Sequence, residues 1–206
     1  MTITFEKLQN ILEAALMVAG RPLSIAQLQK LFDETLVPET VEIKNALKAI
    51  AERYAATGIE LKEVASGFQF QAKIEFSPWI SKLWEERPQK YSRALLETLA
   101  LIAYRQPITR AEVEDIRGVT VSSHITKTLL EREWIRIIGY REVPGRPALY
   151  GTTKAFLDHF NLKTLDELPT LAELNDLENQ EAKLQIQLEL SQSQHDETIL
   201  AEQPHE

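Results

Sequence analysis

A chain of 206 residues with 44% hydrophobic content is long enough to fill one large core or two small ones. Without cysteine it has no disulfide framework, thiol nucleophile or thiolate zinc site. The net charge of −8 sits at one end, because residues 164–206 hold 11 of the 31 acidic residues and one of the 23 basic ones, which leaves the rest close to neutral.

The first residues lack the basic stretch and apolar run of a signal peptide, and charges interrupt every apolar run well short of about 18 residues. A cytoplasmic protein with no membrane contact is expected. Phe5, Leu8, Ile11, Leu12, Ala15, Leu16 and Ala19 recur at helical spacing and predict a first helix with one buried face. Gly20 and Pro22 stop it. Ser24 with Gln27 forms a capping box that opens a short second helix carrying Leu28 and Leu31. A third helix is predicted over about 39–56, with Val41, Ala46, Leu47, Ile50 and Tyr54 inward. Residues 59–64 and 68–72 alternate apolar and polar around Ser66 and Gly67, which predicts a hairpin.

Ser77 as N-cap and Pro78 behind it predict a short bridging helix with Trp79, Ile80, Leu83 and Trp84. The opening order then returns about 85 residues later. Leu95, Leu99, Ile102 and Ala103 mark a helix, and Pro107, Ile108 and Thr109 repeat Pro22, Leu23 and Ser24. Thr109 with Glu112 makes the second capping box, opening a helix with Val113 and Ile116 that Gly118 closes. Ser122 or Ser123 caps a helix with Ile125, Leu129 and Leu130. A strand begins at Trp134, and Gly145, Arg146 and Pro147 turn the chain into Ala148, Leu149 and Tyr150.

Three helices and a hairpin, occurring twice, predict two tandem winged-helix domains: a mainly helical chain with small β-hairpin wings. The divisions expected are 1–84, including the bridging helix, 85–165, and an acidic tail over 166–206. Leu171, Leu174, Leu177, Leu184 and Leu188 would permit an amphipathic helix to about residue 190, but the spacing is irregular and the remainder lacks apolar content, so a solvated, largely disordered tail is expected.

No catalytic residue, cofactor or metal site is expected. His124, His159, His195 and His205 are scattered, and no glycine-rich phosphate cradle with its lysine occurs. Winged helices often bind DNA, and a DNA-binding transcription regulator is the alternative function. Charge argues against it: the first part has 9 basic against 10 acidic residues, the second 13 against 10. The first part's reading helix opens on Glu39 and Glu42. In the second, Ser122, Ser123, His124, Lys127 and Thr128 are followed by Glu131 and Glu133, leaving Arg141 and Arg146 as phosphate candidates. Direct DNA contact should be weak or absent. Protein binding is the better use, with Trp79, Trp84, Trp134, Tyr91, Tyr104 and Tyr140 as aromatic anchors where exposed.

The segment from Leu96 to Val119 closely resembles the second domain of segregation and condensation protein B, and residues 142–154 resemble that family's wing. The likeness runs through about residues 5–165 and weakens in the first part, where residues 19–23 match best. It implies a non-enzymatic subunit of the bacterial condensin-like SMC complex. In that family two copies embrace one kleisin chain, segregation and condensation protein A, and reach the SMC ATPase through it. The family dimerises mainly through its first domain and holds the kleisin largely through its second. The matching residues Arg105, Arg117, Arg146, Tyr104 and Tyr150 are the candidates for protein binding, because guanidinium groups pair bidentately with carboxylates. Pro107, Thr109, Gly118, Gly145, Pro147 and Gly151, with Pro22 in the first part, are expected to serve backbone geometry.

Overall fold

The computed structural model describes residues 3–33, 35–83 and 91–170. The described residues up to Leu165 belong to one compact unit, which ends before Asp166. Trp84, the tail leucines from Leu171 to Leu188, His195 and His205 lie outside the described residues. The chain is mainly helical with two small antiparallel sheets.

Helix α1 (Phe5–Ala19) starts at Thr4, whose side chain accepts from the Lys7 amide, and ends at Gly20 in the left-handed region. The Ser24–Gln27 capping box opens α2 (Ile25–Gln29). Leu28 is buried on α2, but Leu31 lies beyond its end and is exposed, so its predicted core place is corrected. Helix α3 (Thr40–Tyr54) buries Ile43, Ala46, Leu47 and Ile50. Val41 points to solvent instead. The inward stripe begins at Ile43, since only the 43, 46, 47, 50 series keeps i, i+3, i+4, i+7 spacing. Leu8, Leu12 and Leu16 of α1 complete this core with Leu23 and Leu28.

Strands β1 (Ile59–Val64) and β2 (Gly67–Ala72) pair antiparallel, with Val64 opposite Gly67. A 3-10 turn at Ile74–Phe76 runs straight into α4 (Ser77–Ile80). The N-cap there is Phe76 rather than Ser77, which already has helical dihedrals of −52° and −40° as the end of the preceding turn. Trp79 is exposed on α4.

Helix α5 (Arg93–Arg105) is capped by Ser92 and buries Leu95, Leu99, Ile102 and Ala103. The chain passes through a cis Gln106–Pro107 bond into the two-residue strand β3 (Ile108–Thr109). The Thr109–Glu112 capping box opens α6 (Arg110–Arg117), which Gly118 closes at φ 68°. Ser122 caps α7 (Ser123–Glu131), where Leu129 is buried. Ile116 and Leu130 are exposed, against expectation, because each of these short helices seats one main apolar side chain, Val113 or Leu129. Strands β4 (Ile135–Tyr140) and β5 (Ala148–Thr152) pair across a register shift at Ile137–Gly139, and β3 adds to the free edge of β5. Helix α8 (Lys154–His159) follows.

The two halves repeat in a detail beyond element order. Leu23 exchanges both backbone hydrogen bonds with Phe68 at 2.9 Å, and Ile108 pairs with Tyr150. In each half the residue between the proline and the capping Ser or Thr bridges to the second hairpin strand. The halves also meet. The Ser66 amide donates to Asp158 Oδ1 at 2.9 Å, the Ala65 amide to the Leu162 carbonyl at 3.0 Å, and Lys163 pairs with Glu63 at 2.8 Å.

Candidate protein-binding surface

Most of the residues singled out in the second half cluster around the α5–β3–α6 junction, while Gly145, Arg146 and Pro147 lie apart in the β4–β5 turn. Gln106 is the keystone of that junction. Its Oε1 accepts from the Thr152 amide at 2.8 Å, and its Nε2 donates to the Ala103 carbonyl and Thr152 Oγ1. One side chain thus joins the end of α5 to β5. Gly151 makes room for it, because a Cβ there would lie 2.9 Å from Gln106 Oε1 and 3.0 Å from Ile138 Cδ1. Pro107 leads into β3, Thr109 caps α6 and Gly118 ends it.

Around this junction carboxylates engage most of the arginines. Glu97 takes Arg117 at 3.0 Å and Arg93 at 2.8 Å, tying α6 back to α5. Hydrogen bonds from these two guanidinium groups, Arg117 first, hold the Glu97 carboxyl below the usual carboxylate range. The Arg117 side chain is only 10% exposed. Glu112 accepts from the Thr109 amide and hydroxyl and pairs with Arg141 at 2.7 Å, and these bonds, the amide first, lower its pKa. Glu114 accepts from the Val121 amide at 2.8 Å and from Arg110 at 2.9 Å, and its pKa is lowered in the same order of causes. These pairs staple α5, α6, the approach to α7 and the hairpin together. Nothing in the sequence spacing announces them, apart from the i, i+4 pairs Arg93–Glu97 and Arg110–Glu114.

The candidate interaction residues therefore separate. Arg117 is committed within the fold. Arg105 is exposed at the edge of a shallow groove with Pro107, Ile108, Asp115 and Ile116. Tyr104 and Tyr150 are half-buried, the latter between Ile108 and Ile137 in the sheet. Arg146 stands apart at the exposed β4–β5 turn with φ 38°, beside Gly145 at φ 86° and Pro147. Pro22 takes the equivalent junction position in the first half. In the Arg105 groove Ile116 is 53% exposed, and Val119, just past the end of α6, is 56% exposed.

The DNA-reading candidates offer less. Glu42 accepts from the Glu39 amide at 2.8 Å, placing carboxylates at the start of α3. Arg141 is paired with Glu112, and Lys127 with Glu131 at 3.6 Å. Of the aromatic anchors, Trp134 is buried against Tyr91, His159 and Phe160, with Arg132 stacked over Tyr91 at 4.9 Å, whereas Trp79 and Tyr140 are exposed. Among the described residues no helix is long and apolar enough to cross a membrane.

Comparison with known proteins adds an independent line. Residues 10–171 match the family model described as segregation and condensation complex subunit ScpB. The chain is 57% identical over 180 residues to a segregation and condensation protein B homolog of Coxiella burnetii, covering 87% of this chain and 86% of the relative. It is 48% identical over 170 residues to segregation and condensation protein B of Geobacillus thermodenitrificans, covering 81% and 79%. A solved structure of ScpB from Mycobacterium tuberculosis is 31% identical, covers 79% of this chain and 99% of its own, and gives a TM-score of 0.37.

Proposed function

This chain belongs to the segregation and condensation complex subunit ScpB family, and from that premise we propose that it acts without catalysis, two copies gripping one kleisin chain of a bacterial SMC complex. Its role lies in chromosome segregation and condensation. In this reading each half, 1–84 and 85–165, is a winged-helix domain, and an acidic tail over 166–206 follows the second. The first half dimerises and the second holds the kleisin. The complex, and through it the SMC ATPase, keeps the protein at the nucleoid in the cytoplasm.

The observation that carries the kleisin grip is the exposed Ile116 lining the Arg105 groove, with Val119 exposed just past the same helix. Apolar groups of that size, next to an exposed guanidinium and Asp115, form the anchor-and-rim arrangement of protein interfaces. A phosphate backbone has no use for the apolar part. The regulator alternative has correspondingly less support, since the carboxylates of Glu39, Glu42, Glu112 and Glu131 stand where it needs free cations.

Titration calorimetry of the purified chain with its cognate kleisin is the direct test, with light scattering giving the oligomeric state. The expected result is a dimer that binds the kleisin in moderate salt, and an Ile116→Asp variant weakened by about thirtyfold or more. A chain that stays monomeric at tens of micromolar and gives no heat with the kleisin overturns the proposal.

A further inference from the structure

One groove in the first half combines an apolar floor with a cationic rim. The floor is Leu47 of α3 with Leu61 and Phe68 of the hairpin, and the rim carries Lys44, Lys48, Lys163 and Glu63. Lys44 and Lys48 stand one turn apart on the outer face of α3. Lys48 is 79% exposed and meets Glu52 only at 4.0 Å, a geometry of little energetic weight. Lys163 arrives from the chain beyond α8 and pairs with Glu63 at 2.8 Å. Three ammonium groups and one carboxylate therefore surround side chains that bury their lower parts in the core.

We propose that this groove docks a partner protein segment with an apolar stripe edged by carboxylates. Charge complementarity selects the occupant. Carboxylates three or four residues apart on a helix have the spacing of Lys44 and Lys48, and the apolar stripe between them meets Leu61 and Phe68. A second copy of this chain does not fit, because a two-fold contact through this face sets lysines against lysines. Duplex DNA fits poorly as well: Glu39 and Glu42 head the same helix, Glu63 stands at the rim, and an apolar floor offers phosphates nothing. The groove takes its rim from both halves of the chain, so it is complete only while the 63–66 turn stays docked on residues 158–163. Occupancy therefore favours the docked arrangement of the two halves. This surface is distinct from the Arg105 groove and does not depend on the kleisin assignment.

The test uses the full chain and a fluorescein-labelled synthetic peptide in which leucines at i, i+3, i+4 and i+7 are flanked by glutamates. Controls are a peptide of the same composition in scrambled order and a random duplex DNA. The patterned peptide should bind, move the backbone amide resonances of Leu47, Leu61, Phe68 and Lys163, and lose affinity about tenfold in a Lys44→Glu/Lys48→Glu variant. Both lysines are exposed and the variant's circular dichroism melt checks that it folds; Lys163→Glu provides a second reading of the same rim. Equal binding of the scrambled peptide, shifts confined to other residues, or unchanged affinity in both variants overturns the proposal. Displacement of the peptide from these amides by duplex DNA overturns it in favour of a nucleic-acid site.

Discussion

The two halves share an order of elements and differ in what holds them together. The first rests on a leucine-rich core closed by a small polar cluster, in which Glu13 takes Arg53 at 2.7 Å and the Tyr54 hydroxyl at 2.6 Å. The second buries a comparable apolar set, including Trp134 and Phe156, and adds to it a lattice of ion pairs, a third strand and the Gln106 side chain. Apolar burial is indifferent to pH, whereas a lattice of paired carboxylates is not. One architecture thus carries two different sensitivities.

The largest expected effects come from placing a methyl group where each half's hairpin meets its proline junction. A Cβ on Gly67 would sit 2.2 Å from the Leu23 carbonyl oxygen, at a φ of 142° that side chains rarely adopt. Neither obstacle can move, since the Leu23–Phe68 bridge is backbone against backbone. Gly67→Ala should cost about 3 kcal/mol or more. In Gly151→Ala the clash is with the ends of Gln106 and Ile138, which shift at the price of the Gln106 network, so about 1–2 kcal/mol is expected. Urea denaturation of the two variants checks the ranking, and an equal loss in both would show that the two junctions are equally rigid.

Acid provides the second comparison. Glu97, Glu112 and Glu114 all have folded pKa values lowered by hydrogen bonds that exist only in the native state. Each contributes stability that is present above the unfolded carboxylate value, near pH 4.3, and is lost as pH falls through the lowered folded value. The second half should therefore loosen as pH drops below about 4. Amide exchange of α5 and α6, followed from neutral pH downward and corrected for intrinsic rates, reads this directly. A Glu112→Gln variant should flatten part of the dependence, and a full-strength acid response in that variant would remove Glu112 from the account.

Much of this architecture is legible in the sequence because it is written in short-range signals. Both capping boxes, the left-handed Gly20 and Gly118, and the inward faces of α1 and α5 follow from residues within one or two turns of each other. The parts that escape are those fixed by distant partners. Strand β3 is two residues long and has no periodicity to show, and it forms only because β5 offers a free edge. Of the candidate binding residues, Arg105 and Arg117 look alike along the chain. Glu97, 20 residues before Arg117, separates them by drawing one inward. The carboxylate lattice around Gln106 likewise needs the fold before its members meet.

The smallest predicted effect concerns the seam between the halves. Lys163 and Glu63 are 51% and 44% exposed, so Lys163→Ala should change stability by less than about 1 kcal/mol. Asp158 is different, because its Oδ1 accepts the Ser66 amide at the hairpin turn and its loss leaves that half-buried donor unanswered. Asp158→Ala should cost about 1 kcal/mol more than Lys163→Ala. The more telling readout is cooperativity. With the seam intact, the apolar first half and the ion-paired second half should unfold together in urea. With Asp158 removed, amide exchange should resolve two opening free energies, one reported by α1 and α3 and the other by α5 and α6. A single opening free energy shared by all four helices in the Asp158→Ala variant would mean that the halves are coupled by something other than this turn, and the Ala65–Leu162 backbone bond would become the next contact to break.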